Sequence, residues 1–322
     1  MKNLVEWRKA RVASVTEVAS DVRRLVFDVE GGLPAFDAGS HTNIRVMIGG
    51  KPAIRTYTCL PAGPGRLSIA VKLHEQSRGG SKYIFTLGPG MDVDITVPEN
   101  RFELSWRAGE YLLIAGGIGV TPIYGMAKAL ARQGAKVRMH YAAKNRAAMP
   151  FVDELSEVLG DNLSLYSSDD GRHVDLEREI AALPADGELY VCGPLGMLEA
   201  VKAAWAASGR PVSRLRYEVF GDNGKFAENT FQVDVLNRNI TVTVPPDKTL
   251  LAALTDAGVD MIYDCQRGEC GLCAVDIVEA DADVDHRDVF FSEEEKRESR
   301  KMCSCVSRLT EGRAVIDIGY RT

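Results

Sequence analysis

The sequence predicts a multidomain chain: an antiparallel β-barrel, then an α/β domain on a parallel sheet, then a small α+β domain. Three observations predict it. Period-two hydrophobic alternation with frequent turn residues dominates residues 1–105. Short apolar runs then alternate with helix-period segments over residues 106–222. Finally, five of the seven cysteines fall between 265 and 305, within a C-terminal segment spanning 230–322. The length of 322 residues suits two domains or three small ones.

In the first segment Leu67, Ile69, Val71 and Leu73 alternate with Ser68, Ala70 and Lys72. Met91, Val93, Ile95 and Val97 repeat the pattern after Gly88-Pro89-Gly90. Val22–Val29 and Asn43–Ile48 are further strands, broken by Gly31-Gly32 and Gly49-Gly50. Many short strands joined by turns predict a closed barrel. In the second segment Tyr111–Ala115 is an apolar strand followed by Gly116-Gly117-Ile118-Gly119. Thr121 is expected as the N-cap of a helix and Pro122 as its first residue, with Ile123, Met126, Ala127 and Leu130 on one face and Gly134 at the end. Strands at Val137–Ala142, Leu163–Tyr166 and Leu189–Cys192 and a helix at Leu195–Ala206 continue the alternation. Residues 221–229 read as a linker. Beyond it, Phe231–Leu236 and Ile240–Val244 form a hairpin, Leu250–Ala257 a short helix and Val315–Ile318 a closing strand.

Composition narrows the function. The apolar share is 45%, the charged share 26%, and the net charge −6 has no basic stripe against it, so nucleic acid is not an expected partner. No run of 18 apolar residues exists, so no membrane span is expected. Charges interrupt the N-terminus before a signal-peptide core can form, which predicts a cytoplasmic protein.

The cysteines carry the most specific signal. Cys265-x4-Cys270-x2-Cys273, followed at a distance by Cys303 and Cys305, is the spacing of plant-type 2Fe–2S ligation. Gly268 and Gly271 allow the positive φ angles that aim backbone N–H groups at sulfur. A four-cysteine zinc site is the alternative, but it favours paired short knuckles. From Cys273 there are 29 intervening residues to Cys303 and 31 to Cys305. If 303–305 is extended, both side chains point one way, about 7 Å apart, and only one meets iron.

The run Asp264 to Cys273 resembles plant-type ferredoxin loops. With Asp285-His286-Arg287-Asp288 and Cys305-Val306-Ser307-Arg308, it resembles the C-terminal domain of the phthalate dioxygenase reductase family, which includes the reductase components of vanillate demethylase and related Rieske oxygenases. The resemblance covers almost the whole chain. It implies an FMN-binding barrel over 1–105, an NAD-binding domain over 106–222 and a ferredoxin-like (β-grasp) 2Fe–2S domain over 230–322. It implies ligands Cys265, Cys270, Cys273 and Cys305, the last because the family's ligand directly precedes Val-Ser-Arg. The two extra residues then fall in the polar stretch Glu279–Val284.

The other motifs are consistent with this resemblance. Arg55-Thr56-Tyr57-Thr58 offers an arginine for a phosphate, an aromatic ring for an isoalloxazine face and hydroxyls for the flavin ring. Arg78-Gly79-Gly80-Ser81 opens a helix-like stretch suited to a phosphate, and the resemblance adds Lys72 at the flavin edge. Each alone is also compatible with an ordinary strand face or turn. Gly117-x-Gly119-x-Thr121-Pro122 sits between strand and helix, where a dinucleotide pyrophosphate binds. Cys192-Gly193-Pro194 resembles the family's second nucleotide motif, and Phe220 its flavin-shielding aromatic. Phe220, Cys192 and Thr58 are therefore the residues expected at the reacting atoms. His41, His74, His140 and His173 form no metal or triad pattern.

The implied sequence of electron transfer is NADH, FMN, 2Fe–2S, then a partner Rieske-type oxygenase, in a protein expected to be a monomer. A hydride carries two electrons and the cluster accepts one, so a flavin must stand between them. The alternatives are a stand-alone reductase delivering electrons to a cytochrome or small quinone, and a zinc-stapled interaction protein. For the nucleotide, Lys144 and Arg146 follow the strand where an acid would select NADH, while Asp169 and Asp170 follow the next one.

Overall fold

A computed structural model describes residues 6–74, 79–219, 226, 229–236 and 238–319. Phe220 and Arg78 lie outside the described residues. The chain divides into two compact units, one running to Glu218 and one from Val219 onward.

The first unit opens with β1 (Trp7–Ala19), β2 (Val22–Val29), β3 (Ser40–Ile48), β4 (Lys51–Thr58), β5 (Leu60–Pro61), β6 (Arg66–Lys72), α1 (Gly80–Thr86), β7 (Asp92–Thr96) and β8 (Glu99–Asn100). They form an antiparallel sheet in the order β4-β3-β7-β1-β2-β6-β5, with β8 on β3. The expected barrel is present, with one seam between β4 and β5. There β5 is two residues long and ends in Pro61, which has no N–H for a further ladder bond. Alternate side chains turn inward, so Val12, Leu25, Phe27, Ile44, Val46, Leu67, Ile69 and Ile95 form one buried core. Each such side chain contributes ~1.5–3 kcal/mol by leaving water.

The same unit continues with β9 (Tyr111–Gly116), α2 (Val120–Arg132), β10 (Val137–Ala143), α3 (Val152–Leu159), β11 (Leu163–Ser167), α4 (Leu176–Ala181), β12 (Glu188–Gly193), α5 (Leu195–Ala207) and β13 (Leu215–Val219). The sheet order is β11-β10-β9-β12-β13, and the described registers of β9, β10, β11 and β12 are parallel. Central strands β9 and β12 are buried at every position, as expected of strands covered on both faces. The expected cap of α2 is corrected. Gly119 holds the N-cap, and a 3-10 turn over Gly117–Gly119 carries the chain into the helix. Thr121 therefore lies inside the first turn, where its hydroxyl donates to Ile118 O at 3.0 Å.

The second unit contains β14 (Phe231–Val235), β15 (Ile240–Val244), α6 (Leu250–Asp256), β16 (Ala274–Ala280), β17 (Val284–Asp285), α7 (Glu293–Glu298), β18 (Lys301–Cys303), β19 (Arg308–Leu309) and β20 (Arg313–Asp317). Its mixed sheet runs β15-β14-β20-β16-β18, with β14 and β20 parallel. Val233, Val242, Leu250, Leu254, Val275, Met302 and Ile316 fill the core beneath α6. A long loop between α6 and β16 carries three of the cysteines.

Candidate functional site

In the first unit, the site grows from the turn between β9 and α2. Gly119 approaches β12 so closely that a Cβ there would lie 2.3 Å from the Cys192 carbonyl oxygen. Only glycine permits that approach, which holds the helix start against the end of β12. Gly193 and Pro194 complete that end, and Cys192 is fully buried, packed as a small apolar side chain. The sheet order reverses between β9 and β12, and the crevice at such a switch point is where open α/β sheets bind nucleotides.

The barrel brings its own motif to the same place. Arg55, Thr56, Tyr57 and Thr58 occupy the end of β4, and Thr121 Oγ1 donates to Thr58 Oγ1 at 3.4 Å. The Arg-x-Tyr-Thr strand and the glycine-rich turn are therefore one locus. Thr56 donates to Asn43 Oδ1 at 2.7 Å, which fixes the strand face. Burial pushes the Tyr57 hydroxyl pKa up, against the pull of the Arg55 cation. Arg55 lies directly over Gly80, where a Cβ would sit 2.8 Å from its Nε. Strand β4 and the start of α1 thus close around the guanidinium, a cradle that fits an anionic cofactor group. Ser81 Oγ accepts from His74 N at 3.3 Å, tying α1 to the end of β6. Lys72 is engaged elsewhere: its ammonium pairs with Asp21 at 3.2 Å. Gly79 takes the left-handed conformation at the helix start, with φ +93°.

Sequence reading passed over one pair at this locus. His41 Nε2 lies 2.7 Å from Glu218 Oε1, with both side chains buried. The residues are far apart in sequence and belong to no shared motif, so only the fold joins them.

In the second unit, the cysteine loop has the expected conformation. Gly268 and Gly271 have φ +74° and +71°. Arg267 N–H and Glu269 N–H both donate to Cys265 Sγ at 3.4 Å. Burial pushes the Cys265 thiol pKa up, while these N–H groups and that of Cys270 pull it down. The sulfurs interact as Cys265 with Cys270, and Cys273 with both Cys303 and Cys305. Hydrogen bonds from Cys303 and Cys305 lower the Cys273 pKa to about 3. Among the described residues no three His, Cys, Asp or Glu side chains converge on a single-ion site. One sulfur pair and one group of three, with backbone donors aimed at them, fit a binuclear cluster, which spreads four thiolates over two irons.

The conditional expectation for 303–305 is corrected. Strand β18 ends at Cys303, and Val306 N–H and Ser307 N–H bond back to Cys303 O at 3.2 and 2.9 Å, closing a turn. Both sulfurs therefore reach Cys273. Their other surroundings differ. Cys305 interacts with Cys265 and accepts from Gly268 N–H, inside the loop, whereas Cys303 lies within the repulsive field of the Asp288 carboxylate.

Asp288 explains the Asp-His-Arg-Asp motif. It is fully buried, accepting from Ser307 Oγ at 2.9 Å and from Phe291 N–H at 3.0 Å, with His286 Nδ1 at 3.6 Å. Burial pushes its pKa up, but those neighbours outweigh it and hold the carboxyl below its usual range. Its Cα would lie 2.8 Å from a Cβ on Gly268, and Val289 N–H bonds Gly268 O at 3.0 Å. The motif is the wall behind the cysteine loop. Arg287 pairs with buried Asp285 at 2.7 Å, and Arg308 donates to the carbonyls of Lys248 and Asn229 at 3.0 and 2.9 Å.

Known proteins place these features in one class. Residues 9–104 match the oxidoreductase FAD-binding domain, 113–203 the oxidoreductase NAD-binding domain, and 233–310 the 2Fe-2S iron-sulfur cluster binding domain. The class is thus an oxidoreductase with flavin, NAD and 2Fe–2S modules in one chain. The chain is 34% identical to tetrachlorobenzoquinone reductase of Sphingobium chlorophenolicum over 331 residues, covering 99% of this chain and 100% of that one. It is 34% identical to a putative toluene-4-sulfonate monooxygenase system reductase subunit of Comamonas testosteroni, covering 95% and 98%. The solved structure of phthalate dioxygenase reductase, described as modular for electron transfer from pyridine nucleotides to [2Fe-2S], superimposes with a TM-score of 0.79. The identity is 27%, and 97% of this chain and 98% of that chain are covered. The chain belongs to the phthalate dioxygenase reductase family.

Proposed function

We propose that this protein is the reductase component of a Rieske-type oxygenase system, carrying electrons from NADH through FMN and a 2Fe–2S cluster to a separate oxygenase. The observation that carries the reading is the contact of Thr58 with Thr121, which brings the flavin motif and the nucleotide turn to one locus in a chain that also holds the cysteine loop. When bound, the flavin supplies conversion between two-electron and one-electron transfer, and the cluster supplies the one-electron step. The residues hold and orient these groups. Arg55, Gly79, Gly80 and Ser81 receive the flavin phosphate, while Tyr57 and Thr58 face its ring. Gly117, Gly119, Thr121, Gly193 and Pro194 shape the nucleotide crevice and align the nicotinamide for hydride transfer. Cys265, Cys270, Cys273 and Cys305 hold the irons. Phe220 keeps its assignment as the ring shielding the flavin, on resemblance alone.

Purified protein is expected to contain one FMN and two irons per chain, measured by chromatography of the released flavin and by elemental analysis. Stoichiometric zinc, or protein without flavin, would reject the reading. A stand-alone quinone reductase is the second reading, favoured by the name of the Sphingobium relative. Turnover with a purified oxygenase, compared with turnover on a small quinone, separates the two. Among the described residues no helix is long and apolar enough to cross a membrane. Monomeric state and cytoplasmic location rest on the sequence, and light scattering of the purified protein tests the first.

Selection of NADH is assigned to Asp169. Asn145 Nδ2 donates to Asp169 Oδ2 at 3.0 Å, and Asp169 N–H bonds Lys144 O at 3.0 Å. The carboxylate is thus braced where β10 and β11 end, suited to a ribose 2′-hydroxyl and repelling a 2′-phosphate. Arg146, the competing cation, pairs with Asp153 at 2.7 Å. Asp169→Ala is expected to shift the ratio of kcat/KM for NADH over NADPH down by about ten-fold, the worth of one charge-assisted hydrogen bond. An unchanged ratio would place selection elsewhere.

A further inference from the structure

The second unit buries two carboxylates of the Asp-His-Arg-Asp motif, and they are compensated differently. Asp285 is 2% exposed and pairs with Arg287 at 2.7 Å, so its charge is cancelled at contact. Asp288 is 0% exposed, and its hydrogen bonds come from neutral groups, the Ser307 hydroxyl at 2.9 Å and the Phe291 N–H at 3.0 Å. Among the described residues its only ionic partner is His286, whose Nδ1 lies at 3.6 Å and whose Nε2 faces the Ser299 hydroxyl at 3.3 Å. Lys296, in α7, acts on it through space, and its ammonium pairs with Glu293 at 3.6 Å.

Burying a carboxylate without a cation at contact costs free energy, and nothing in the wall behind the cysteine loop requires the charge. An amide of the same shape would fill the same place. Its oxygen would accept from Phe291 N–H, and its NH2 would donate to Ser307 Oγ, which already accepts from Arg287 N–H at 3.1 Å. Yet the acid stands directly against the loop. A Cβ on Gly268 would lie 2.8 Å from Asp288 Cα and 2.9 Å from its Cβ. Ser307, its hydrogen-bond donor, follows Cys305 by two residues. Its field also reaches sulfur: it disfavours negative charge on Cys303, which hydrogen-bonds Cys273.

We propose that Asp288 sets the reduction potential of the iron–sulfur centre, its buried charge making the centre a stronger reductant. Reduction adds one electron, and so one negative charge, to a group enclosed by the cysteine loop. A fixed anion inside the same low-dielectric wall repels that charge, disfavours the reduced form and lowers the potential. No bond forms or breaks, and no proton moves. The Lys296 cation opposes this field, so the two side chains shift the potential in opposite directions.

This inference rests on the 2Fe–2S reading, which iron content and the EPR spectrum of reduced protein test by themselves. The decisive measurement is the midpoint potential of the full-length holoenzyme at pH 8, titrated anaerobically with dithionite and mediators and followed by EPR. Asp288→Asn is expected to raise the equilibrium constant for reduction about ten-fold, 59 mV for one electron, with both irons retained. Lys296→Met, which leaves the motif untouched, is expected to lower it about three-fold. An unchanged or lowered potential in iron-loaded Asp288→Asn would overturn the proposal, because a residue that served only as wall would leave the potential where it was. If Asp288→Asn does not retain iron, Lys296→Met decides alone: a lowered potential supports the field of Asp288, and an unchanged or raised one overturns it.

Discussion

Cys305→Ser is expected to purify with flavin but with less than about a tenth of the wild-type iron, whereas Cys303→Ser keeps its two irons and its EPR signal. The expectation follows from what surrounds each sulfur. A cluster ligand must be a thiolate, and buried thiolates need hydrogen-bond donors or positive charge nearby. Cys305 has the Gly268 N–H and lies against Cys265 and Cys273. Cys303 shares Cys273, but its further neighbour is the carboxylate of Asp288, which repels negative charge on sulfur. Loss of a ligand removes a metal–sulfur bond on which assembly of the cluster depends. Iron analysis and low-temperature EPR of dithionite-reduced protein read both variants. Iron lost from Cys303→Ser and kept in Cys305→Ser would reverse the assignment.

Much of this architecture was legible in the sequence, because local rules and the tertiary environment agreed. Strand β2 spans Val22–Val29, as expected, and α2 buries Ile123, Met126, Ala127 and Leu130 on the expected face. The cysteine loop was legible because its φ angles and sulfur spacing are local properties. Two errors share one cause. Thr121 has the chemistry of a cap, yet the close approach of Gly119 to β12 moves the cap to the glycine and frees the threonine to meet Thr58. An extended Cys303–Cys305 segment would let one sulfur reach iron, but the turn closed by Ser307 N–H leaves both sulfurs interacting with Cys273. In each case a long-range contact overrides a local preference. The His41–Glu218 pair was illegible for the same reason. A lone histidine and a lone glutamate carry no spacing signal, and only packing of β13 beside the barrel joins them. Asp288 was visible as part of a motif, but its work as the wall behind Gly268 depends on the fold of the whole module.

A chain ending at Gly221 is expected to bind flavin and accept hydride from NADH at close to the wild-type rate, while cytochrome c reduction falls by at least about ten-fold. The division of the chain makes the first half of this expectation concrete. The flavin strand, the nucleotide turn and the His41–Glu218 pair all lie in residues up to Glu218, which pack as one compact unit. Its parallel sheet is complete through β13, and the barrel core contains no residue beyond Leu87, Val93 and Ile95 at its C-terminal end. The barrel core is thus built from the first unit alone, and cavity formation is the main route to large destabilisation. The second half follows from electron counting. Without Cys265, Cys270, Cys273 and Cys305 the protein has no group restricted to one-electron transfer, so delivery to a one-electron acceptor must occur directly from the flavin locus. Stopped-flow bleaching of the flavin by NADH measures the first rate and steady-state cytochrome c reduction the second. Undiminished cytochrome c reduction by the shortened chain would remove the iron–sulfur module from the obligatory route. Loss of flavin from it would show instead that the first unit needs the second to hold its cofactor.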